Sequence, residues 1–443
     1  MQTPPRKDGR QNGGQEKNFA HPTLAYRQSF IVINFMNINW TTFSAAPHRM
    51  MFFGGMLQLI VTLGWWLFEL LGSYTNWWAP LSNQVTAGIW IHAFLMLYGL
   101  PAFFIFGFLM TTYPRWMKGQ PIPYRHYVGA FIILLTATLL IYIGLLTNIA
   151  ILASGVMLLL IGWSVVFKAL LQVYFQAPAT NKYYETILNF ALFMGLVGIL
   201  AYFLWLITAQ NIFLNFALHG GLWLYLVPIL ITVCHRMLPF FSMCVLKDYQ
   251  VVQPTWSLPV MIVCVLGHTI LEMQNWLAWR FVFDIPLMLL AFHHSLLWKL
   301  WRSLEVRLLA MLHIAFAWLG IALLLYNIQS LLLLFSGQFM LGRAPLHALT
   351  IGFMTSLIIG MASRVTLGHS GRSLVADNMT WICFWGVSVT AFIRILAEIS
   401  VLNNLPIPNL NILTAGIWLV FLLPWVIRYM PMILAARIDG KPG

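Results

Sequence analysis

Charged side chains are scarce in this sequence. Its 443 residues include 24 Lys and Arg and only 11 Asp and Glu, 8% in all, against 60% apolar residues. A water-soluble globule could not cover its outside with so few polar groups, so soluble enzymes and binding domains are excluded and lipid becomes the natural solvent for the outer surface. Cysteine is equally sparse. Cys234, Cys244, Cys264 and Cys383 include no Cys-x-x-Cys pair, which argues against a disulfide framework or a zinc knuckle and leaves packing thiols. No apolar run opens the chain: Met1 to Gln15 is polar and rich in Gly and Gln, and is expected to be a disordered tail with no cleaved signal peptide. The net charge of +13 does not imply nucleic acid, because Lys and Arg stand singly between apolar runs and form no basic stripe.

What the sequence does contain is long apolar runs. A membrane helix needs roughly 20 apolar residues, and such windows fall at about 51–72, 89–112, 127–147, 149–174, 187–208, 214–238, 258–276, 283–301, 307–328, 345–365, 380–401 and 411–434. The expected fold is therefore all-α: a polytopic membrane protein of about twelve transmembrane helices. Residues 1–45 read as a polar arm, 46–437 as one helical domain and 438–443 as a short tail. Basic residues collect on the cytoplasmic ends of membrane helices. The arm carries Arg6, Lys7, Arg10, Lys17, Arg27 and Arg49, and the even-numbered connections carry Arg115, Lys118, Arg125, Lys182, Lys247, Lys299, Arg302, Arg307, Arg364 and Arg372. The outward connections hold only Arg280 and Arg343. Both termini are thus expected in the cytoplasm, with the chain multi-pass in a bacterial inner membrane and the lipid bilayer its first partner. Pro114 and Pro239 read as helix ends on the cytoplasmic side.

Histidines are the candidate chemistry, since ionisable groups within membrane spans are costly and usually functional. His92, His219, His268 and His347 fall toward the outer face. His235, His313 and His369 fall toward the inner face, and His293 and His294 near mid-membrane. Several imidazoles at one depth, with few carboxylates, suit a transition metal or haem iron better than Mg²⁺ or Ca²⁺. Each has a plainer reading as a hydrogen-bonded packing residue. For His268 that reading has a ready partner in Glu272, four residues on. His21, His48 and His126 sit in polar flanks and read as solvated. Arg394 and Glu398 are spaced as an intrahelical ion pair, with haem-propionate neutralisation, shared with Arg343 or Arg280, as the alternative for Arg394.

Two segments resemble the signatures of the NnrS family. One is His92-Ala93-x-x-Met96-Leu97-Tyr98-Gly99, continuing to Gly107-Phe108-Leu109-Met110-Thr111-Thr112-x-Pro114-Arg115-Trp116. The other is His347-Ala348-Leu349-Thr350-x-Gly352, followed by Arg364-Val365-Thr366-Leu367-Gly368-His369-Ser370-Gly371-Arg372. The stretch Arg236 to Phe241, Leu312-His313 and Trp318-Leu319-Gly320 agree in order, and the likeness covers roughly 44–437. It departs from the family pattern His-Ala-His-Glu-Met at Phe94 and Leu95, and at His235, where many relatives have Gly.

The resemblance implies a haem b- and copper-containing membrane protein that binds nitric oxide and serves its metabolism, denitrification or nitrosative-stress protection, with oxidoreductase chemistry left open. His92 and His347 are the expected axial haem ligands, with His347 and His219 the competing pair. The glycines at 99, 107, 352 and 360 would admit a macrocycle or a neighbouring helix. His235, His313 and His369 form an expected second metal locus, and His268 is a further candidate. Respiratory haem–copper oxidases also have twelve helices and histidines on helices 2, 6 and 10. Leu349, Pro239 and Trp223 stand where their second motif residues would be needed, which argues against a proton pump. The rivals are a twelve-helix secondary transporter and a metal-free assembly subunit. No nucleic acid is expected, and no electron donor is legible.

Overall fold

The structure, a computed structural model, describes residues 39–75, 77–80, 85–402 and 409–440, the side chains of 400–402 left aside. The N-terminal arm with His21 and its five basic residues, and Lys441, lie outside the described residues. Among the described residues every regular element is helical. Eleven helices are long and apolar enough to cross a membrane, and one more is apolar but shorter. They are α1 (Pro47–Thr75), α2 (Gly88–Trp116), α3 (Tyr124–Leu146), α4 (Ile149–Gln176), α5 (Tyr183–Thr208) and α6 (Asn211–Val245), then α7 (Ser257–Met273), α8 (Leu277–Leu297), α9 (Arg307–Ser336), α10 (Ala344–His369), α11 (Asn378–Leu402) and α12 (Leu410–Leu434). The short one is α7, whose 17 residues span roughly 25 Å at the helical rise. The chain is an all-α polytopic membrane protein. Large apolar side chains such as Phe175, Ile212 and Phe335 stand more than two-thirds exposed around it, as a lipid-facing surface requires.

Helix ends follow local chemistry. The Asn148 side chain accepts the Ile151 N–H at 3.0 Å and starts α4 two residues after α3 stops. That turn is tight because a Cβ at Gly144 would collide with the Leu152 backbone. Asp377 starts α11 by accepting the Thr380 N–H at 2.8 Å and pairs with Arg428 at 2.9 Å. Partial burial pushes the Asp377 carboxyl up, but these hydrogen bonds and the guanidinium outweigh it and hold the pKa below the ordinary value. α8 stops short of the expected 301 because Lys299 adopts the left-handed region, φ 65°, and one turn, Leu300–Ser303, follows separately.

Pro239 does not end its helix: α6 continues to Val245. Proline lacks the N–H that would bond the carbonyl four residues back, here His235. The Gln253 side chain takes its place, donating to the carbonyls of His235 at 2.9 Å and Arg236 at 3.2 Å. A lipid-embedded helix tolerates proline only when the freed carbonyl is satisfied in this way.

Burial ranks the helices. Of the apolar stretch of each, 89% is buried in α2 and 78% in both α6 and α10, against 33% in α12 and 39% in α4. These three inner helices share a local departure from α geometry. π-Helical turns run over Leu95–Gly99 in α2, Phe216–Leu226 in α6 and Ala348–Thr355 in α10. Such turns insert a residue into the helical register and concentrate at functional sites. Two of them are tied together where the Tyr98 hydroxyl donates to the Ala217 carbonyl at 2.6 Å. Gly198 and Gly221 flank that hydroxyl, and a Cβ at either would collide with it. Gly221→Ala is therefore expected to destabilise the fold by about 1–3 kcal/mol, the usual range for overpacking, seen as a lowered unfolding midpoint in detergent.

Candidate functional site

His92 and His347 each stand just before the π turn of an inner helix, at the same end of the bundle. Each lies within electrostatic reach of Arg343 and Arg394, and His347 within that of His92. The structure thus brings together the first expected pair and the two arginines assigned to it. The His347 ring is fixed by its Nδ1–H, which donates to the Arg343 carbonyl at 2.9 Å and leaves Nε2 as the atom with a lone pair. The His92 ring lies flat on the Trp66 indole, with centroids 3.9 Å apart and planes at 13°, which sets the orientation of the histidine. Glu398 accepts from Arg394 Nη2 at 2.6 Å and from the Arg343 backbone N–H at 3.2 Å. The intrahelical ion pair and the approach to the histidines both hold for Arg394.

Among the described residues, His92 Nδ1 and Arg394 Nη1 at this end are buried without a hydrogen-bond partner. A buried donor or acceptor left unmade costs roughly 1–3 kcal/mol, and both atoms are placed to meet a ligand. An imidazole offers a metal ligand and a guanidinium meets a carboxylate, which is the donor set a haem with its propionates needs. The glycines are not part of an open groove. Gly107 is packed by Phe52, Gly352 by Trp318, Gly360 by Leu312 and Gly99 by Gln58, so they admit neighbouring helices and no macrocycle. Phe94 and Leu95, at the positions where the family signature has His and Glu, are fully buried, and Phe94 stacks on Tyr202 at 4.1 Å.

His219 belongs to a different group, so the alternative pair with His347 is not assembled. Its Nδ1 lies 3.4 Å from Glu272 Oε1, and its charged neighbours are Glu272, His268 and Arg280. His268 is completely buried, and its near partner is Asp284 at 2.6 Å; Glu272, the partner expected from spacing, is 3.7 Å away. Arg280 binds Glu272 and donates to Gln329 at 3.1 Å, so it is not available to the His92 site. Trp223 covers the His268 ring at 3.6 Å.

The structure gives His235, His313 and His369, the expected inner locus, separate side-chain partners. His235 uses both ring nitrogens, on the Tyr184 hydroxyl at 2.9 Å and the Ser257 hydroxyl at 3.0 Å. His294 shares that Ser257 hydroxyl at 3.0 Å, in the last turn of α8 and opposite the start of α7, so it is not a mid-membrane residue. His313 pairs with Ser242 at 2.9 Å. His369 meets His48, their rings 4.3 Å apart. His48, expected in a solvated flank, is 2% exposed. His126 is half-buried. Among the described residues no three His, Cys, Asp or Glu side chains form a group that could hold a metal ion.

No curated protein matches the chain. A family model described as "NnrS protein" matches residues 42–437, nearly its whole length and all twelve helices. With the signature histidines, π turns and inner helices placed as above, the chain belongs to the NnrS family.

Proposed function

We propose that this protein binds haem b where His92 and His347 meet, with those imidazoles as axial ligands, and that it binds nitric oxide and serves nitric oxide metabolism or nitrosative-stress protection. The observation that carries the reading is the convergence of His92, His347, Arg343 and Arg394, with His92 Nδ1 and Arg394 Nη1 buried and unpartnered. Haem iron, when bound, would supply a one-electron couple. The chain's own part is orientation: the Arg343 carbonyl holds His347, the Trp66 ring holds His92, and Arg394 presents an N–H to an acidic group. Copper is part of the same family reading; among the described residues His235, His313 and His369 have separate partners and do not form one ligand set.

Purification in detergent with iron and copper analysis and reduced-minus-oxidised spectra is the test. A Soret band with iron near one per chain is expected; its absence would favour the transporter or the assembly subunit.

We further propose that both termini face the cytoplasm of a bacterial inner membrane, from the alternation of basic residues. In a background without the four native cysteines, Gly119→Cys is expected to react with an impermeant thiol reagent only after the membrane is opened. Labelling from the periplasm would reverse the topology.

A further inference from the structure

The end of the bundle opposite His92 carries a second histidine pair that the proposed haem site does not use. His48, in the first turn of α1, and His369, at the end of α10, lie ring to ring at 4.3 Å, with His48 Nδ1 3.4 Å from the Thr111 hydroxyl of α2. Arg49, Arg115 and Arg437 are charged neighbours of both imidazoles, and one carboxylate, Asp439, offsets Arg437, so the three guanidiniums outnumber it. Arg49 is 2% exposed, and its Nη1 and Nη2 donate to the backbone carbonyls of Thr42 and Ala435, each at 2.6 Å. Arg437 gives Nε and Nη2 to Asp439 and Nη1 to the His369 carbonyl. Three residues past His369, Arg372 keeps a buried Nη1 with no partner.

A buried guanidinium is tolerated when a counter-charge or hydrogen bonds compensate its lost hydration. Here backbone carbonyls supply part of that, and the three guanidiniums around two imidazoles leave a positive excess. A compact, multiply charged oxyanion is its complement, because planar guanidinium forks match phosphate oxygens. Basic pockets between membrane helices take anionic headgroups in this way. An apolar cavity of about 40 Å³ begins one turn into the membrane from His48, at Phe52, and is continued by Phe108, Met361 and Ala362, so the cationic end borders apolar space.

We propose that His48, His369, Arg49, Arg115 and Arg437 form a binding site for a phosphate group, whether carried on an anionic phospholipid or free in solution. The test uses the full chain, delipidated in detergent and titrated separately with phosphatidylglycerol, phosphatidylcholine and inorganic phosphate, with binding read by native mass spectrometry. Arg115 is exposed, so Arg115→Gln tests the charge without disturbing the fold, and His369→Gln tests the imidazole. Each substitution is expected to weaken binding of phosphatidylglycerol or phosphate about tenfold, as losing one charge-assisted hydrogen bond does, and to leave phosphatidylcholine unaffected. Weakening for the lipid alone assigns a headgroup site; weakening for inorganic phosphate as well assigns a free-anion site. Arg115→Gln and His369→Gln proteins that both bind all three probes like the wild type, or a wild type that binds neither anionic probe, would overturn the proposal.

Discussion

His92→Ala and His347→Ala are each expected to reach the membrane in normal amounts and to lose the low-spin haem signal. Insertion should not suffer, because replacing an imidazole by a methyl group makes a membrane span more apolar. Folding should suffer little at His92, whose Nδ1 has no partner to lose. At His347 only one bond to a backbone carbonyl disappears. An axial ligand, in contrast, has no substitute nearby: His219 is held by Glu272 in another group, so it cannot stand in for either imidazole. Trp66→Ala gives a graded companion. It removes the ring on which His92 lies, and is expected to leave haem bound but to shift its reduction potential and spectrum. A His92→Ala or His347→Ala protein with wild-type haem content and spectrum would show that the residue is not an axial ligand.

Asp284→Leu is expected to be the most destabilising single change outside that site. Asp284 and His268 are both completely inaccessible and 2.6 Å apart, and Asp284 Oδ2 already lacks a partner. Removing one member of a buried, hydrogen-bonded pair of ionisable groups costs about 3–5 kcal/mol, whereas replacing both members by apolar residues of similar volume is often close to neutral. His268→Phe combined with Asp284→Leu should therefore recover most of the loss, with Arg280 still balanced by Glu272. Unfolding midpoints of the two single variants and the double variant in one detergent give the coupling directly. If Asp284→Leu alone keeps the wild-type midpoint, this pair does not hold α7 to α8.

The spans and their order were legible because they depend on distance along the chain. An apolar run of membrane length has one stable conformation in lipid, a helix with its backbone hydrogen bonds closed internally. Counting residues from its end then gives depth. His92 and His347 could be paired on depth alone because both begin outward-opening helices. Depth was insufficient for His235, His313 and His369. They share a level, but Tyr184 and Ser257 take the ring nitrogens of His235, Ser242 takes one of His313 and His369 meets His48, all from other helices. The same limit hid Asp284, sixteen residues from His268 across the α7–α8 turn, behind the more obvious i+4 neighbour Glu272.

The sequence by itself determined an all-α membrane protein, its twelve helical segments and the family signatures, since hydrophobic length and local spacing are one-dimensional properties. Tertiary structure decided which helices are inner, which way each histidine faces and what it meets. Three π turns change the facing of α2, α6 and α10 partway along their lengths, so a 3.6-residue count carried through them points side chains to the wrong neighbours. Pro239 ended a helix on local rules and does not, because Gln253 arrives from a later segment to satisfy the carbonyl it frees. His48 looked solvated from its polar flank and is buried, because α10 and the segment after α12 close over it. Where a side chain's surroundings come from residues hundreds of positions away, only the packed chain supplies them.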